Sequence, residues 1–431
     1  MNDIVKTAGY DCRRLGAFDR FLRQQLLSRL RLLRHGRLLL DDDGGQLEFG
    51  QAAANHPDLQ IRIKILDPAF YRAVVTNGSV GAGEAYADGL WRCDDLAGLA
   101  QLLVRNRDVL DGMETGIARL GGIAMRAWHA LRRNTRGGSR RNIAAHYDLG
   151  NDFFALFLSP DLMYSSAIWT DECDTLEAAS TRKLERICRK LDLKPADRVL
   201  EIGTGWGGFA LYAAQHYGCH VTTTTISREQ HALASRRVLA EGMGPHVDLL
   251  LEDYRDLRGQ YDKLVSVEMV EAIGAPNLDT YFGQLGALLR PDGLALVQAI
   301  TIEDHRYEQA LKSVDYIKRH IFPGSFIPSI NALLASKTRA CDLALTQMED
   351  FGLSYALTLK AWRERFMAQL PKVRAQGLDE RFIRRWEFYL AYCEGGFRER
   401  ATGVAQLLLA KPGNRRAALL PEIKRAERIR A

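Results

Sequence analysis

The chain has no closely spaced cysteines: its seven fall at positions 12, 93, 173, 188, 219, 341 and 393. That spread argues against a zinc site and against a disulfide framework, and it fits a reducing, cytosolic compartment. No apolar run is long enough to cross a bilayer. The N-terminal stretch lacks a signal-peptide core, because arginines interrupt every apolar run there. Any work on lipid is therefore expected from the membrane surface. What the chain does have is 431 residues, 47% hydrophobic and 26% charged, enough for a substantial core and more in keeping with two domains than one. The net charge of +6 favours anionic partners, phospholipid headgroups or nucleic acid, without separating them.

Leu15, Phe18, Leu22, Leu26, Leu30 and Leu33 recur at helical spacing among Arg14, Arg20, Arg23, Arg29, Arg31 and Arg34. Two readings stand: a helix packed on its own domain with a solvated arginine face, or a helix lying on anionic lipid with its leucines inserted. Ile61, Ile63 and Ile65 alternate with Arg62 and Lys64, which predicts a half-buried strand. Residues 1–115 read as a small N-terminal α+β domain with no chemical constellation. Residues 116–145 carry Arg126, Arg132, Arg133, Arg136, Arg140 and Arg141 and read as a basic linker, with anionic headgroup binding as the alternative. No nucleic-acid recognition module accompanies the charge. From about residue 180 strands and helices alternate, which implies an α/β unit with a mostly parallel sheet covered on both faces. The remainder reads as mostly helical, and 411–431 as a basic C-terminal tail.

The segment Glu201-Ile202-Gly203-Thr204-Gly205-Trp206-Gly207-Gly208 follows a predicted strand and opens a predicted helix. Glycines there let the backbone turn sharply and approach a ligand closely. A dinucleotide site would place a carboxylate about twenty positions on, at the end of the next strand. That strand ends in "TTTTIS", with no carboxylate. An acid ahead of G-x-G-x-G, here Glu201, is instead the arrangement of methyltransferases that use S-adenosylmethionine. Glu252 and Asp253, in "LLEDYRDL", are the candidates beside the adenine; the plain alternative is solvated loop residues.

"YDLGNDFF", "SPDLMYSSAIW", "VLEIGTGWGGFALYAA", "VTTTTISREQ", "YDKLVSVEMVEAIG", "IFPGSFIPS", "LTLKAWRERF" and "FYLAYCEGGFRER" follow one another across about residues 141–400. In these motifs the chain resembles the cyclopropane-fatty-acyl-phospholipid synthase family, which includes the mycolic acid cyclopropane synthases. The resemblance implies a Rossmann-like class I methyltransferase sheet with a helical lid and insertions, over 146–410, plus an N-terminal lipid-binding-like domain. It implies S-adenosylmethionine-dependent C-methylation of a double bond in unsaturated phospholipid acyl chains at an anionic membrane surface, by a protein on the inner face of the membrane. It implies a homodimer and no nucleic-acid partner. Two other readings stand beside it: a non-catalytic lipid-surface binding protein that keeps the cofactor fold, and a nucleic-acid methyltransferase.

By the same resemblance Tyr147, Tyr164 and Ser165 touch the cofactor, Gly203, Gly205 and Gly207 cradle it, and Thr225, Ser227 and Gln230 complete its site. The proton acceptor would be a bound bicarbonate, held by Glu271, Tyr355 and two further side chains. The cysteine of that set is here Ser166, and the histidine is Gln298. Ala272 replaces a common histidine, and Glu268 stands where relatives usually have glycine. Gln298 cannot become cationic, so an anion would be held less strongly. Paired carboxylates at 268 and 271 would raise one another's affinity for a proton and supply a base near neutrality. A surface position for Glu268, or an arginine partner, is the alternative. The altered base site leaves the product open between a cyclopropane and a methylated or methylene chain.

Overall fold

The structure, a computed structural model, describes residues 16–51, 59–113, 138, 149–171 and 174–417. Tyr147, all six linker arginines and the tail beyond 417 lie outside the described residues. No helix among the described residues is long and apolar enough to cross a membrane.

The chain packs into two compact units, each assembled from separated segments. The first takes residues up to 133 together with 308–324 and 355–402; the second takes 134–307, 325–354 and 403 onward. This departs from the linear division at 115, 145 and 410, because late helices return to the N-terminal residues. Helix Glu380–Arg398 shows why they can. A Cβ at its Gly395 would stand 2.6 Å from the carbonyl oxygen of Ala97, so glycine lets the two backbones meet.

In the first unit, helix α1 (Ala17–Leu30) buries Leu22, Leu26, Leu27 and Leu30, and Leu33 is buried just beyond it. The leucine stripe therefore belongs to this unit's own core, which rules out leucines inserted in lipid. Phe18 and Phe21 are left 58% and 51% exposed. Four strands follow in the order β2-β1-β3-β4: β1 (Gly36–Asp42), β2 (Gly45–Gln51), β3 (Gln60–Ile65) and β4 (Trp91–Cys93). Ile61, Ile63 and Ile65 are buried while their neighbours are exposed, as the alternation predicted. Helices α2 (Ala69–Ala87) and α3 (Leu96–Arg105) complete the unit with the late helices, and Asp95 caps α3 by accepting from Gly98 N.

The second unit begins with α4 (Leu176–Leu191), then β5 (Arg198–Ile202), α5 (Gly208–Tyr217), β6 (His220–Thr224), α6 (Arg228–Ala240), β7 (Val247–Leu250) and β8 (Tyr261–Val267). It continues with α7 (Leu278–Leu288), β9 (Leu289–Ile302), α8 (Ile330–Ala340), β10 (Ala344–Asp350) and β11 (Thr402–Ala410). The sheet order is β10-β11-β9-β8-β5-β6-β7. Strands β5 to β9 run parallel, and β10 is antiparallel to β11. The order reverses at β5, with β6 on one side and β8 on the other. In open α/β sheets the crevice beyond such a switch point is where ligands bind. The remainder is mostly helical, as expected, but it also carries strands β10 and β11, which the sequence reading did not name. β11 is buried from Val404 to Ala410, an apolar run whose period cannot tell strand from helix.

Candidate active site

The glycine turn leaves the end of β5 at the switch point. Gly203, Gly205 and Gly207 have φ of 105°, 52° and 85°, a left-handed backbone that favours glycine. The amides of Gly203 and Thr204 both donate to Thr224 O, at 3.1 and 3.0 Å, which ties the turn to the end of β6. A Cβ at Gly205 would meet no atom within 4 Å, so the turn is open on that side. One at Gly208 would stand 2.6 Å from the carbonyl oxygen of Asp161, so the segment before the sheet lies against the start of α5. In that segment Tyr164 packs edge-on at 5.2 Å from Phe154, which lies 5.0 Å from the turn's Trp206.

Glu201 sits under the turn. It is 3% exposed and accepts a 2.6 Å bond from Thr223 Oγ1, which also meets Thr204 Oγ1 at 2.7 Å. Burial pushes its carboxyl up to about 8. Thr225, Ser227 and Gln230 form one cluster at the start of α6. Thr225 Oγ1 donates to Gln230 Oε1 at 2.8 Å, and Ser227 Oγ accepts from Gln230 N at 3.3 Å. Beyond β7, Asp253 is buried and grips Arg255 through both carboxylate oxygens, at 2.8 and 2.6 Å. Glu252 has an exposed side chain, and its carbonyl accepts from Thr224 Oγ1 at 2.6 Å.

The second cluster lies at the ends of β8 and β9. Glu268 follows β8 with φ 49°, an unusual backbone for a side chain larger than glycine. Its Oε1 accepts from Ser166 N at 2.9 Å and from Gln298 Nε2 at 2.8 Å. Ser166, Glu268 and Gln298, three of the four positions singled out by the family resemblance, thus meet in one place. Ser166 turns its hydroxyl to Ala167 O at 2.9 Å. Glu271 Oε1 accepts from Ile300 N at 2.6 Å, while its Oε2 is buried with no hydrogen-bond partner. Burial first, and then the negative charge of Glu268, push the Glu271 carboxyl up to about 8. Tyr355 belongs to the first unit, where it packs 4.4 Å from the Phe397 ring.

Sequence reasoning passed over Lys183. Fully buried on α4, it donates to Ser165 Oγ at 2.7 Å. Burial brings its ammonium down to about 8, against the pull of Asp161 and Glu268. The signal was available, since Lys183 falls in the buried stripe of Leu176, Ser180, Leu184 and Ile187.

A sheet of this order, with an open left-handed glycine turn at its switch point, defines a class I S-adenosylmethionine-dependent methyltransferase. Residues 134–407 match the family described as mycolic acid cyclopropane synthetase, and the chain belongs to that family. It is 38% identical to the tuberculostearic acid methyltransferase UfaA1 of Mycobacterium tuberculosis, over 80% of this chain and 82% of that protein. It is equally 38% identical to the cyclopropane-fatty-acyl-phospholipid synthase of Escherichia coli K12, over 81% of this chain and 87% of that one. Among solved structures, the cyclopropane synthase MmaA2 of Mycobacterium tuberculosis is similar with a TM-score of 0.59 and 29% identity, over 63% of this chain and 98% of that one. The mycolic acid cyclopropane synthase CmaA1, complexed with S-adenosylhomocysteine and CTAB, has the same score at 28% identity, over the same shares of both chains.

The residues present fit S-adenosylmethionine: the turn is open at Gly205, where a Cβ would project into the space a ligand takes. Bicarbonate fits less well. The Ser166 amide and the Gln298 amide, at two positions the family resemblance assigns to holding that ion, are both engaged by Glu268.

Proposed function

We propose that this protein methylates a double bond in the unsaturated acyl chains of membrane phospholipids, and that the Glu268–Glu271 pair replaces bicarbonate as the proton acceptor. Bound S-adenosylmethionine supplies an electrophilic sulfonium methyl, and its transfer to an alkene leaves a carbocation that must lose a proton. The chain's part is to hold the cofactor on the turn, exclude water and take that proton. The observation that carries the reading is the Glu268 carboxylate bridging Ser166 N and Gln298 Nε2 beside a buried Glu271. Burial and the neighbouring Glu268 charge favour the protonated form of Glu271, so the pair can offer an acid beside a carboxylate acceptor. The unpartnered Glu271 Oε2 supports a place for a reacting group next to it.

Loss of a proton from the transferred methyl closes a cyclopropane; loss from a neighbouring chain carbon gives a methylated alkene; a 1,2-hydride shift that moves the cation to the methyl-bearing carbon, followed by loss of a methyl proton, gives a methylene. All these products carry one CH2 more than the substrate. Mass spectrometry of total lipids after expression, before and after mild hydrogenation, separates them: the ring is unchanged and an alkene takes up two hydrogens. Lipids with no added CH2 would end the proposal and favour a lipid-surface binding protein. Exposed Phe18 and Phe21 on an arginine-bearing helix support contact with an anionic membrane surface.

A further inference from the structure

Behind Gln298 a second glutamine and a lysine continue the hydrogen-bond chain into the core. Gln406, on β11, donates through Nε2 to Gln298 Oε1 at 3.0 Å. Lys190 donates to Gln406 Oε1 at 2.8 Å and to Glu349 Oε2 at 2.7 Å. Gln298 and Gln406 are 0% exposed and Lys190 is 5% exposed. Lys190 lies seven residues after Lys183 on α4, so both lysines face inward from one side of one helix.

A primary amide can present either its oxygen or its nitrogen in a given direction, but an ammonium can only donate. Lys190 therefore fixes Gln406 with its oxygen toward the lysine and its nitrogen toward Gln298. Gln298 must answer with its oxygen, which leaves its nitrogen facing Glu268. Turning Gln298 over would set its oxygen against the Glu268 carboxylate and its nitrogen against that of Gln406, losing two buried bonds at once. The polarity of the whole chain is set at the lysine end.

We propose that Lys190 and Gln406 are positioning residues: they hold the Gln298 amide in the one orientation in which it donates to the Glu268 carboxylate, beside the Ser166 amide, throughout the reaction. This rests on the reading of Glu268 as part of the proton-accepting pair. Among the described residues, Glu271 and Lys183 are charges that act on Glu268, Lys183 also facing Asp161. Lys190 is faced by Glu349, which Arg186 holds in turn.

The test is Gln406→Glu. A carboxylate at 406 accepts from Lys190 and demands a donor from Gln298, which reverses the amide and turns its oxygen on Glu268. Turnover on unsaturated phospholipid vesicles is expected to fall at least tenfold at pH 7 with KM for S-adenosylmethionine unchanged. The acid limb of the kcat profile is expected to move up by at least one pH unit. Adding Gln298→His to that variant places a ring that donates at both nitrogens, one to each carboxylate, and should return the limb toward its original position. A kcat within twofold of the unsubstituted protein and an unmoved limb overturn the proposal. If Gln406→Glu does not fold, Lys190→Gln decides: it releases the polarity without adding charge, and an unmoved acid limb there overturns the proposal equally. Glu268→Gly in the same assay separates the two ideas. In buffer purged of carbon dioxide, full turnover in Glu268→Gly removes the underlying reading, whereas lost turnover there beside an unaffected Gln406→Glu removes only the positioning role.

Discussion

Replacing Glu268 with glycine returns this position to the residue usual in relatives and tests the proton acceptor directly. Three effects follow from the structure. A left-handed backbone strains a residue with a Cβ by about 1–2 kcal/mol, so glycine at φ 49° relieves roughly that much. Against this, the Ser166 amide and the Gln298 amide lose their shared acceptor, and each buried donor left unmade costs about 1–3 kcal/mol. The variant is expected to be less stable by about 0–5 kcal/mol. The larger effect is on rate: removing a positioned general base slows turnover by about 10²–10⁴-fold, or roughly 3–5 kcal/mol of barrier. The side chain also leaves a space of carboxylate size between two N–H donors, which bicarbonate or formate fits. In buffer purged of carbon dioxide, methyl transfer to unsaturated phospholipid vesicles should collapse in the variant and recover saturably with added bicarbonate. The unsubstituted protein should be indifferent to it. A variant that turns over within twofold of the unsubstituted protein without bicarbonate would refute the reasoning, as would an unsubstituted protein that requires the ion.

Gly205→Ala should cost about 1–2 kcal/mol in left-handed strain and keep the fold, since its Cβ meets nothing within 4 Å, yet lower affinity for S-adenosylhomocysteine at least tenfold by calorimetry; unchanged affinity would place the cofactor elsewhere. Glu201 carries a carboxyl raised from 4.5 to about 8, so the stability it contributes is fully present below about pH 4.5 and is lost as pH rises to 8. Its share of the slope is on the order of 1 kcal/mol per pH unit. Glu201→Gln should therefore flatten the fall of Tm between pH 5 and 8, with Glu271 keeping the remainder; an unaltered slope would contradict the assignment. Substituting Phe18 and Phe21 together with serine should weaken sedimentation with anionic vesicles severalfold and leave Tm within about 1 °C, because both rings are exposed. Equal sedimentation would move the membrane contact away from α1.

Much of the second unit was legible along the chain, because β5, α5, β6 and α6 announce themselves by local period and by the glycines between them. The turn's conformation was legible too, since left-handed backbone at 203, 205 and 207 is a property of the residues themselves. Strand β11 was not, because a fully buried strand loses the alternation that marks a half-buried one.

The sequence by itself determined the methyltransferase sheet and the glycine turn, and its family resemblance singled out positions 166, 268 and 298. Only the tertiary structure decided that these three touch, and that Lys183, Lys190 and Gln406 stand behind them. Local period and motif act over a few residues, whereas Glu268 meets Ser166 across 102 positions and Lys190 meets Gln406 across 216. Those contacts exist because the parallel sheet sets the ends of β8 and β9 side by side and brings the distant β11 up behind them. A buried polar atom must find its partner wherever the fold has put one.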